Sequence, residues 1–167
     1  MGVRNFLIEG VSGTGKTSVC TELQRRGHHA VHGDRELAYQ GDPVTGEPVV
    51  GGGHEHHLWR LDRVRALVAD QRQPITFFCG GSRNFPAFID LFDGVFVLDV
   101  DPDTLRRRLE RRPSDEWGGR EEERQVVLQL HQTREDIPRI GVIIDATAPL
   151  SRVVDEILRH CGELTGG

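Results

Sequence analysis

Short apolar runs alternate with amphipathic stretches along the 167 residues of this chain. Nearly continuous apolar runs lie at residues 5–9, 75–79, 95–100 and 142–145, and a weaker run lies at 28–32. Continuous apolar strands separated by helices are typical of a parallel sheet that is covered on both faces. The pattern therefore predicts an α/β fold in which a five-stranded parallel sheet lies between two layers of helices.

The segments between these runs carry the apolar spacing of helices. Helices are predicted at 18–26, from about 58 to 68, at 85–92, from Asp101 through Leu109, in a polar segment that ends near 136, and at 150–161. The glycine-rich stretch 40–53 is long and irregular, which predicts a mobile segment on the substrate side. Because no internal repeat is visible, residues 1–167 are expected to form one domain.

Composition limits the possible roles of the chain. Apolar residues at 37% and charged residues at 28% describe an ordinary globular protein, and a net charge of −5 argues against partners such as nucleic acid or a membrane surface. Cys20, Cys79 and Cys161 are widely spaced without a paired motif, which predicts reduced thiols in the core. With no signal peptide visible, we expect a cytoplasmic protein that is a monomer or a homodimer.

The chain has one lysine, Lys16, and it lies in the sequence GVSGTGKT at residues 10–17. This pattern, between a predicted strand and a predicted helix, is that of a phosphate-binding loop. Its backbone N–H groups would surround an anion, Lys16 would reach the β- and γ-phosphates, and Thr17 would bind Mg²⁺. The predicted ATP-binding residues are Gly10, Ser12, Gly13, Thr14, Gly15, Lys16, Thr17 and Ser18.

Several classes of nucleotide-binding protein fit this chain poorly. GTP-binding switches read guanine with an Asn-Lys-x-Asp sequence, which cannot occur where Lys16 is the only lysine. Larger motor or AAA-type ATPases need a longer chain and usually a strand that ends in Asp-Glu, whereas Asp99 is followed by Val100. A small phosphotransferase remains, and a non-catalytic nucleotide-binding module stays open as an alternative.

The order of motifs resembles the compact P-loop kinases, a group that includes nucleoside and nucleotide kinases, shikimate kinase and gluconate kinase. The resemblance covers nearly the whole chain. It is carried by residues 10–17, Gly33-Asp34, Gly80-Gly81, Arg112-Pro113 and Asp145-Ala146-Thr147. Counting the strands of the main sheet along the chain, it implies the order 2-3-1-4-5, with the phosphates at the carboxyl ends of the strands.

On the acceptor side, the resemblance implies that Asp34 orients the hydroxyl group that receives the phosphoryl group, with a plain helix cap as the alternative. The acceptor-side segment is expected at about 35–60. Further acceptor-binding candidates are Arg35, Arg60, Gly80, Gly81, Arg83 and Asn84, although each arginine could equally be a solvated surface residue.

On the nucleotide side, residues 112–120 have the layout of a closing lid, because Pro113 and Gly118-Gly119 bound a polar segment. Arg112 is the predicted catalytic lid residue, with Arg108 one helical turn before it and Arg120 as a further candidate. The resemblance implies an adenine contact from the loop after the last strand, through Ala146, Thr147 and Pro149.

His54, His56 and His57 surround Glu55 in a spacing that could bind a transition metal, but no cysteine or distant partner is evident, and solvated histidines are the favoured explanation. Taken together, the motifs predict a kinase that uses ATP and Mg²⁺ to phosphorylate a small metabolite, with a nucleoside or nucleotide as the first choice. A carboxylate-bearing acceptor, as in shikimate or gluconate kinase, is the alternative. Asp34 lacks the paired aspartate of shikimate kinase, which weakens that alternative.

Overall fold

The computed structural model describes residues 4–11, 13–50, 56–70, 72–113, 119–134, 137–138 and 141–165, with side chains described to 162. Five parallel strands form the main sheet: β1 Arg4–Glu9, β2 His29–His32, β5 Ile75–Cys79, β6 Gly94–Asp99 and β7 Val142–Asp145. Their order is β2-β5-β1-β6-β7. This arrangement confirms the predicted order 2-3-1-4-5.

Both faces of the sheet are covered. Phe6, Leu7 and Ile8 are consecutive residues of β1, so they point alternately to opposite faces, and each is at most 1% exposed. The helices that cover the sheet and its carboxyl edge are α1 Lys16–Arg25, α2 Gly33–Glu36, α3 Leu61–Ala69, α4 Pro102–Glu110, α5 Glu121–Thr133 and α6 Leu150–Thr165. The fold is therefore the predicted three-layer α/β arrangement.

A second, two-stranded sheet corrects the prediction for the glycine-rich stretch. Strand β3 Ala38–Gln40 pairs antiparallel with β4 His57–Trp59, and a further bridge joins Gly41 to Pro48. The chain from 38 to 50 is therefore part of a hairpin, while residues 51–55 lie outside the described residues. The helix predicted from about 58 begins instead at Leu61, because the preceding residues form β4.

Two other boundaries differ from the sequence pattern. Residues 85–92 form two short 3₁₀ turns, Phe85–Ala87 and Ile89–Leu91, in place of one helix. The break comes at Phe88, whose φ of −135° leaves the helical region while its ring stacks on Trp59. Helix α5 ends at Thr133 because Arg134 adopts a left-handed conformation.

The remaining sequence expectations on the core agree with the structure. The ring of Phe6 stacks on that of Phe77 and packs at a tilt against that of Phe96, with centroids 5.8 Å apart in each pair. All three cysteines are buried free thiols. Among the described residues, no helix combines the length and apolar character needed to cross a membrane.

Candidate active site

The phosphate-binding loop links the end of β1 to the start of α1. Gly15 precedes the helix in a left-handed conformation, with φ of 104°, which a residue with a side chain would adopt only with strain. Thr14 closes the loop through its Oγ1, which donates a hydrogen bond to the carbonyl oxygen of Val11 at 2.8 Å. The free N–H groups at the start of α1 then face the space above the loop, where an anion would bind.

Lys16 and Glu9 meet at the base of this loop. The Nζ atom of Lys16 donates to the carbonyl oxygen of Gly10 at 2.5 Å. Glu9 ends the buried strand β1 and is 1% exposed. A Cβ atom at Gly81 would lie 2.8 Å from Glu9 Oε1 and 3.2 Å from Lys16 Nζ, so the glycine leaves room for both groups. The three residues therefore converge at the carboxyl ends of β1 and β5.

A cavity of about 840 Å³ opens in front of the loop. It brings together many of the residues predicted for ATP and for the acceptor: Gly13, Thr14, Gly15, Lys16, Thr17, Ser18, Asp34, Arg108, Arg112 and Ala146. Gln40, His57 and Glu123 also line it, with an apolar wall from Val19, Ala148, Leu150 and Val153. The cavity is continuous from the phosphate-binding loop to Asp34.

Arg108 joins the phosphate-binding loop to the loop after β7. Its Nη2 donates to the carbonyl oxygen of Ala146 at 2.8 Å, and its Nη1 lies 3.3 Å from the carbonyl oxygen of Thr14. Arg112, one turn further along, is half-buried and borders the same cavity. Two guanidinium groups thus flank the space in which phosphates would bind.

The carboxylate of Asp34 lies at the other end of the cavity, where three N–H groups approach its Oδ1 atom. The imidazole Nε2 of His57 lies at 2.9 Å, and the indole Nε1 of Trp59 and the backbone N of Gly81 each lie at 3.4 Å. Helix α2 begins at Gly33 without a side-chain cap, so the cap interpretation of Asp34 does not hold.

The pKa of Asp34 reflects these neighbours. Partial burial acts to raise the pKa, but the hydrogen bond from His57 and the positive charge of Lys16 outweigh it, and the pKa lies below its usual value. Asp34 is therefore an ionised carboxylate at neutral pH. Its side chain is 45% exposed, which leaves room for a ligand to reach it.

Trp59 fixes this end of the site by packing. It is 1% exposed, and its ring stacks on Phe88 with a centroid distance of 5.5 Å. The edge of its ring lies against Gly80, where a Cβ atom would come within 2.8 Å of Cζ2. The side chain of Asn84 pairs with both backbone groups of Trp59, each at 3.0 Å. Strand β4 is thereby held against the loop after β5.

Comparison with known proteins agrees with this architecture. The family model AAA_18, described as an AAA domain, matches residues 7–129. The chain belongs to this family. The length of the chain argued against the larger AAA-type ATPases. The match shows that a chain of this length can still contain a domain of an AAA sequence family. No curated protein matches the chain in sequence.

Solved structures show what the fold of this AAA_18 member resembles. A gluconokinase from Sinorhizobium meliloti 1021 is 21% identical with a TM-score of 0.59, over 98% of this chain and 94% of that protein. A shikimate kinase from Bacteroides thetaiotaomicron is 15% identical with a TM-score of 0.62, over 95% and 98%. A deoxyadenosine kinase from M. mycoides, with bound dATP, is 15% identical with a TM-score of 0.51, over 95% and 99%. At these identities the likeness concerns the fold.

Several predicted site residues of this AAA_18 domain lie away from the cavity lining. The guanidinium of Arg60 lies 4.8 Å from the centre of the Tyr39 ring, and Arg35 is exposed. Arg83 is half-buried, and its backbone N–H donates to the backbone carbonyl oxygen of His57 at 2.9 Å. The amide of Asn84, predicted to contact substrate, is engaged with the backbone of Trp59.

On the nucleotide side, Thr147 borders a second cavity along α5, and Pro149 accepts the first backbone hydrogen bonds of α6. Ser12 and lid residues 114–118 lie outside the described residues. Arg120 is exposed, and its backbone N–H lies 3.4 Å from Oε1 of Glu123 at the start of α5. The lid therefore stays a prediction.

The structure brings to the site four residues that the sequence did not place there: Glu9, Gln40, Trp59 and His57, which had been considered only as a metal ligand. A signal for two of them was present, because residues two apart in a strand point to the same side, as His57 and Trp59 do toward Asp34. Glu9 also carried a signal as a carboxylate in a buried apolar strand. Of the residues considered as an alternative metal site, His54 and Glu55 lie outside the described residues. Within the described residues, no group of three or more His, Cys, Asp or Glu could hold a metal.

Proposed function

We propose that this protein is a kinase that transfers the γ-phosphoryl group of ATP to a hydroxyl group of a small metabolite, with a nucleoside as the preferred acceptor class. The observation that carries this proposal is the shared cavity of Lys16 and Asp34. One end offers a phosphate-binding loop, and the other end offers an ionised carboxylate that can accept a hydrogen bond from an alcohol.

At the nucleotide end, the backbone N–H groups of the loop would hold the phosphates of ATP. The Nζ atom of Lys16 would exchange its hydrogen bond to Gly10 for the charged oxygens of the β- and γ-phosphates, which are stronger acceptors. The hydroxyl of Thr17 is a hard oxygen ligand that suits Mg²⁺. When bound there with ATP, Mg²⁺ would neutralise part of the phosphate charge.

At the acceptor end, Asp34 would orient the hydroxyl group for in-line attack. A bond forms between the hydroxyl oxygen and the γ-phosphorus as the bond from that phosphorus to the ADP oxygen breaks, and the hydroxyl proton passes to Asp34. Arg108 and Arg112 line the nucleotide part of the cavity and would stabilise negative charge on the transferred group. Asp34 contributes mainly by positioning, since phosphoryl transfer needs little covalent help.

The charges around the cavity support an uncharged acceptor. Among the described residues that line it, the cationic side chains are Lys16, Arg108 and Arg112, all near the phosphate-binding loop. Among the same residues, the acceptor end is lined by Asp34, by the uncharged amide of Gln40 and by the imidazole of His57, which is engaged with Asp34. A carboxylate or a monophosphate on the acceptor would favour an arginine here. A nucleoside therefore fits this end better than a nucleotide, shikimate or gluconate.

An acceptor panel tests the proposal. ADP release from MgATP would be measured with nucleosides, nucleoside monophosphates, D-gluconate and shikimate, and without an acceptor, using Lys16→Ala as the inactive control. We expect release that depends on a nucleoside and is absent from the control. Faster release with gluconate or shikimate would favour the carboxylate-bearing class. ATP binding without any acceptor-dependent release would make the protein a nucleotide-binding module.

A further inference from the structure

The two oxygens of the Asp34 carboxylate have different surroundings. The donors of His57, Trp59 and Gly81 all approach Oδ1. Among the described residues, the hydrogen bonds to this carboxylate all go to Oδ1, and none goes to Oδ2. A carboxylate oxygen can accept about two hydrogen bonds, so Oδ1 is fully engaged and Oδ2 keeps its acceptor capacity.

His57 makes the shortest of these three contacts, at 2.9 Å, against 3.4 Å for the other two. An ionised carboxylate only accepts hydrogen bonds, so the Nε2 atom of His57 must carry the proton. The backbone of His57 is held on both sides, by pairing with Gln40 across the small sheet and by the N–H of Arg83 at 2.9 Å. The imidazole is thus mounted on a fixed strand.

We propose that His57 is a positioning residue, which holds Oδ1 of Asp34 through its Nε2–H so that Oδ2 is the oxygen that receives the acceptor hydroxyl. This inference rests on the proposed function and extends it to a histidine outside the phosphate-binding loop. In the transfer step, the hydroxyl proton moves to Oδ2 while the new oxygen–phosphorus bond forms and ADP leaves. His57 neither gains nor loses a proton and acts only through Asp34.

The roles of the other donors follow from their geometry. The indole N–H of Trp59 makes a longer contact to Oδ1, at 3.4 Å. Because Trp59 is buried, its ring also fixes the distance between β4 and the loop after β5. Gly81 supplies a backbone N–H, which every substitution except proline leaves in place. His57 is therefore the donor that can be changed with least disturbance of packing, since 28% of its side chain is exposed.

Two substitutions at His57 separate hydrogen bonding from shape. His57→Gln keeps an N–H at about the place of Nε2, and His57→Leu keeps the bulk without a donor. With MgATP and the panel compound that supports the fastest ADP release, we expect His57→Leu to lower kcat by about 10- to 100-fold with little change in the KM for ATP. His57→Gln should retain most of the rate. His160→Leu, on α6 away from the cavity, is the matched control and should behave as wild type.

A double-mutant cycle tests whether His57 acts through Asp34. In an Asp34→Asn background, His57→Leu should cause no further loss of kcat. Multiplied losses would show that His57 contacts the acceptor by itself and would overturn the proposal. A His57→Leu enzyme that is as fast as wild type would also overturn the proposal. The same holds for a His57→Gln enzyme that is as slow as His57→Leu although its thermal unfolding is unchanged.

A spectroscopic measurement distinguishes failure of this inference from failure of the proposed function. The ¹³Cγ resonance of Asp34 is followed through an acid titration of the protein without nucleotide. The titration midpoint should move upward in His57→Leu and stay near the wild-type value in His57→Gln and His160→Leu. An unchanged midpoint in His57→Leu would refute the inference, whether or not the protein turns over ATP. If the midpoint moves but no panel compound supports ADP release, the proposed function fails while the contact itself stands.

Discussion

The two ends of the cavity are built in different ways. At the nucleotide end, the phosphate-binding loop and the start of α1 form one continuous segment, residues 10–17, to which only Arg108 and Arg112 are added from elsewhere. At the acceptor end, Asp34 is contacted by His57, Trp59 and Gly81 from two further segments, and Gln40 lines the cavity from a third. The first end is therefore mostly local in sequence, and the second exists only after the chain has folded.

This difference has consequences for how each end responds to change. Backbone N–H groups of a helix terminus hold their geometry as long as the strand and helix form. The acceptor end relies on packing, because Trp59 must fill the space between Gly80 and Phe88 for its strand to bring His57 to Asp34. We therefore expect substitutions far from the cavity to change the KM for the acceptor more often than the KM for ATP.

The largest effect is expected at the nucleotide end, for Lys16→Ala. Loss of the ammonium removes its contact with the phosphates, so turnover should fall by about 10³-fold or more. Lys16→Arg should also be severely impaired, because a planar guanidinium cannot occupy the position of an ammonium. Both variants should keep wild-type circular dichroism. Near-normal turnover by either variant would remove the loop from the mechanism.

At the acceptor end, Asp34→Asn should lower acceptor-dependent kcat by about 10²-fold. The amide keeps the size of the side chain but cannot take the hydroxyl proton. Affinity for ATP, measured by calorimetry, should change little, because the substitution removes none of the groups that would hold the phosphates. An equal loss of ATP affinity would contradict the assignment of Asp34 to the acceptor.

Arg112 lies on the nucleotide side, and its effect should be smaller than that of Lys16. We expect Arg112→Ala to lower kcat by about 10-fold while it weakens ATP binding less, because contacts of this kind strengthen as charge develops on the transferred group. Pre-steady-state rates would show whether the loss is in the chemical step. If only the KM for ATP rose and kcat stayed unchanged, Arg112 would contribute to binding of ATP in the ground state. Arg106→Ala, on α4, serves as the control.

The smallest effect concerns stability as a function of pH. The pKa of Asp34 lies below its usual value of 3.8, so its ionised form stabilises the fold above that value, and this contribution is lost as the pH falls through the folded pKa. Denaturant unfolding at about pH 5 should find the wild type slightly more stable than Asp34→Asn, with the difference narrowing as the pH falls below about 4. If the difference in unfolding free energy between the two proteins grew as the pH fell, the pKa of Asp34 would be raised by folding and the prediction would be wrong.

The contrast between the two ends also explains what could be predicted from the sequence. Continuous apolar runs identified all five strands of the main sheet, and the loop at residues 10–17 is readable because its groups are adjacent in the chain. Strands β3 and β4 escaped prediction because each has three residues and its partner lies about 17 residues away. Three residues are too few to show a period of two.

The same reasoning applies to individual side chains. Gly33-Asp34 could be assigned to the acceptor side by its order along the chain, but nothing local indicates that His57 and Trp59 reach that carboxylate. Leu58 fits a helical pattern as well as a strand, so the residues around it were assigned to the wrong element. Asn84 has the chemistry of a substrate ligand, and only the fold shows that its amide is engaged by a strand.

The most direct test of the account follows the phosphoryl group itself. ATP labelled with ³²P at the γ position would be incubated with Mg²⁺ and a mixture of nucleosides, with wild-type protein, Lys16→Ala and Asp34→Asn in parallel. We expect a labelled nucleoside monophosphate with the wild type, none with Lys16→Ala, and about 10²-fold less with Asp34→Asn. Label that appears only as inorganic phosphate, or at equal rates in wild type and Asp34→Asn, would contradict it.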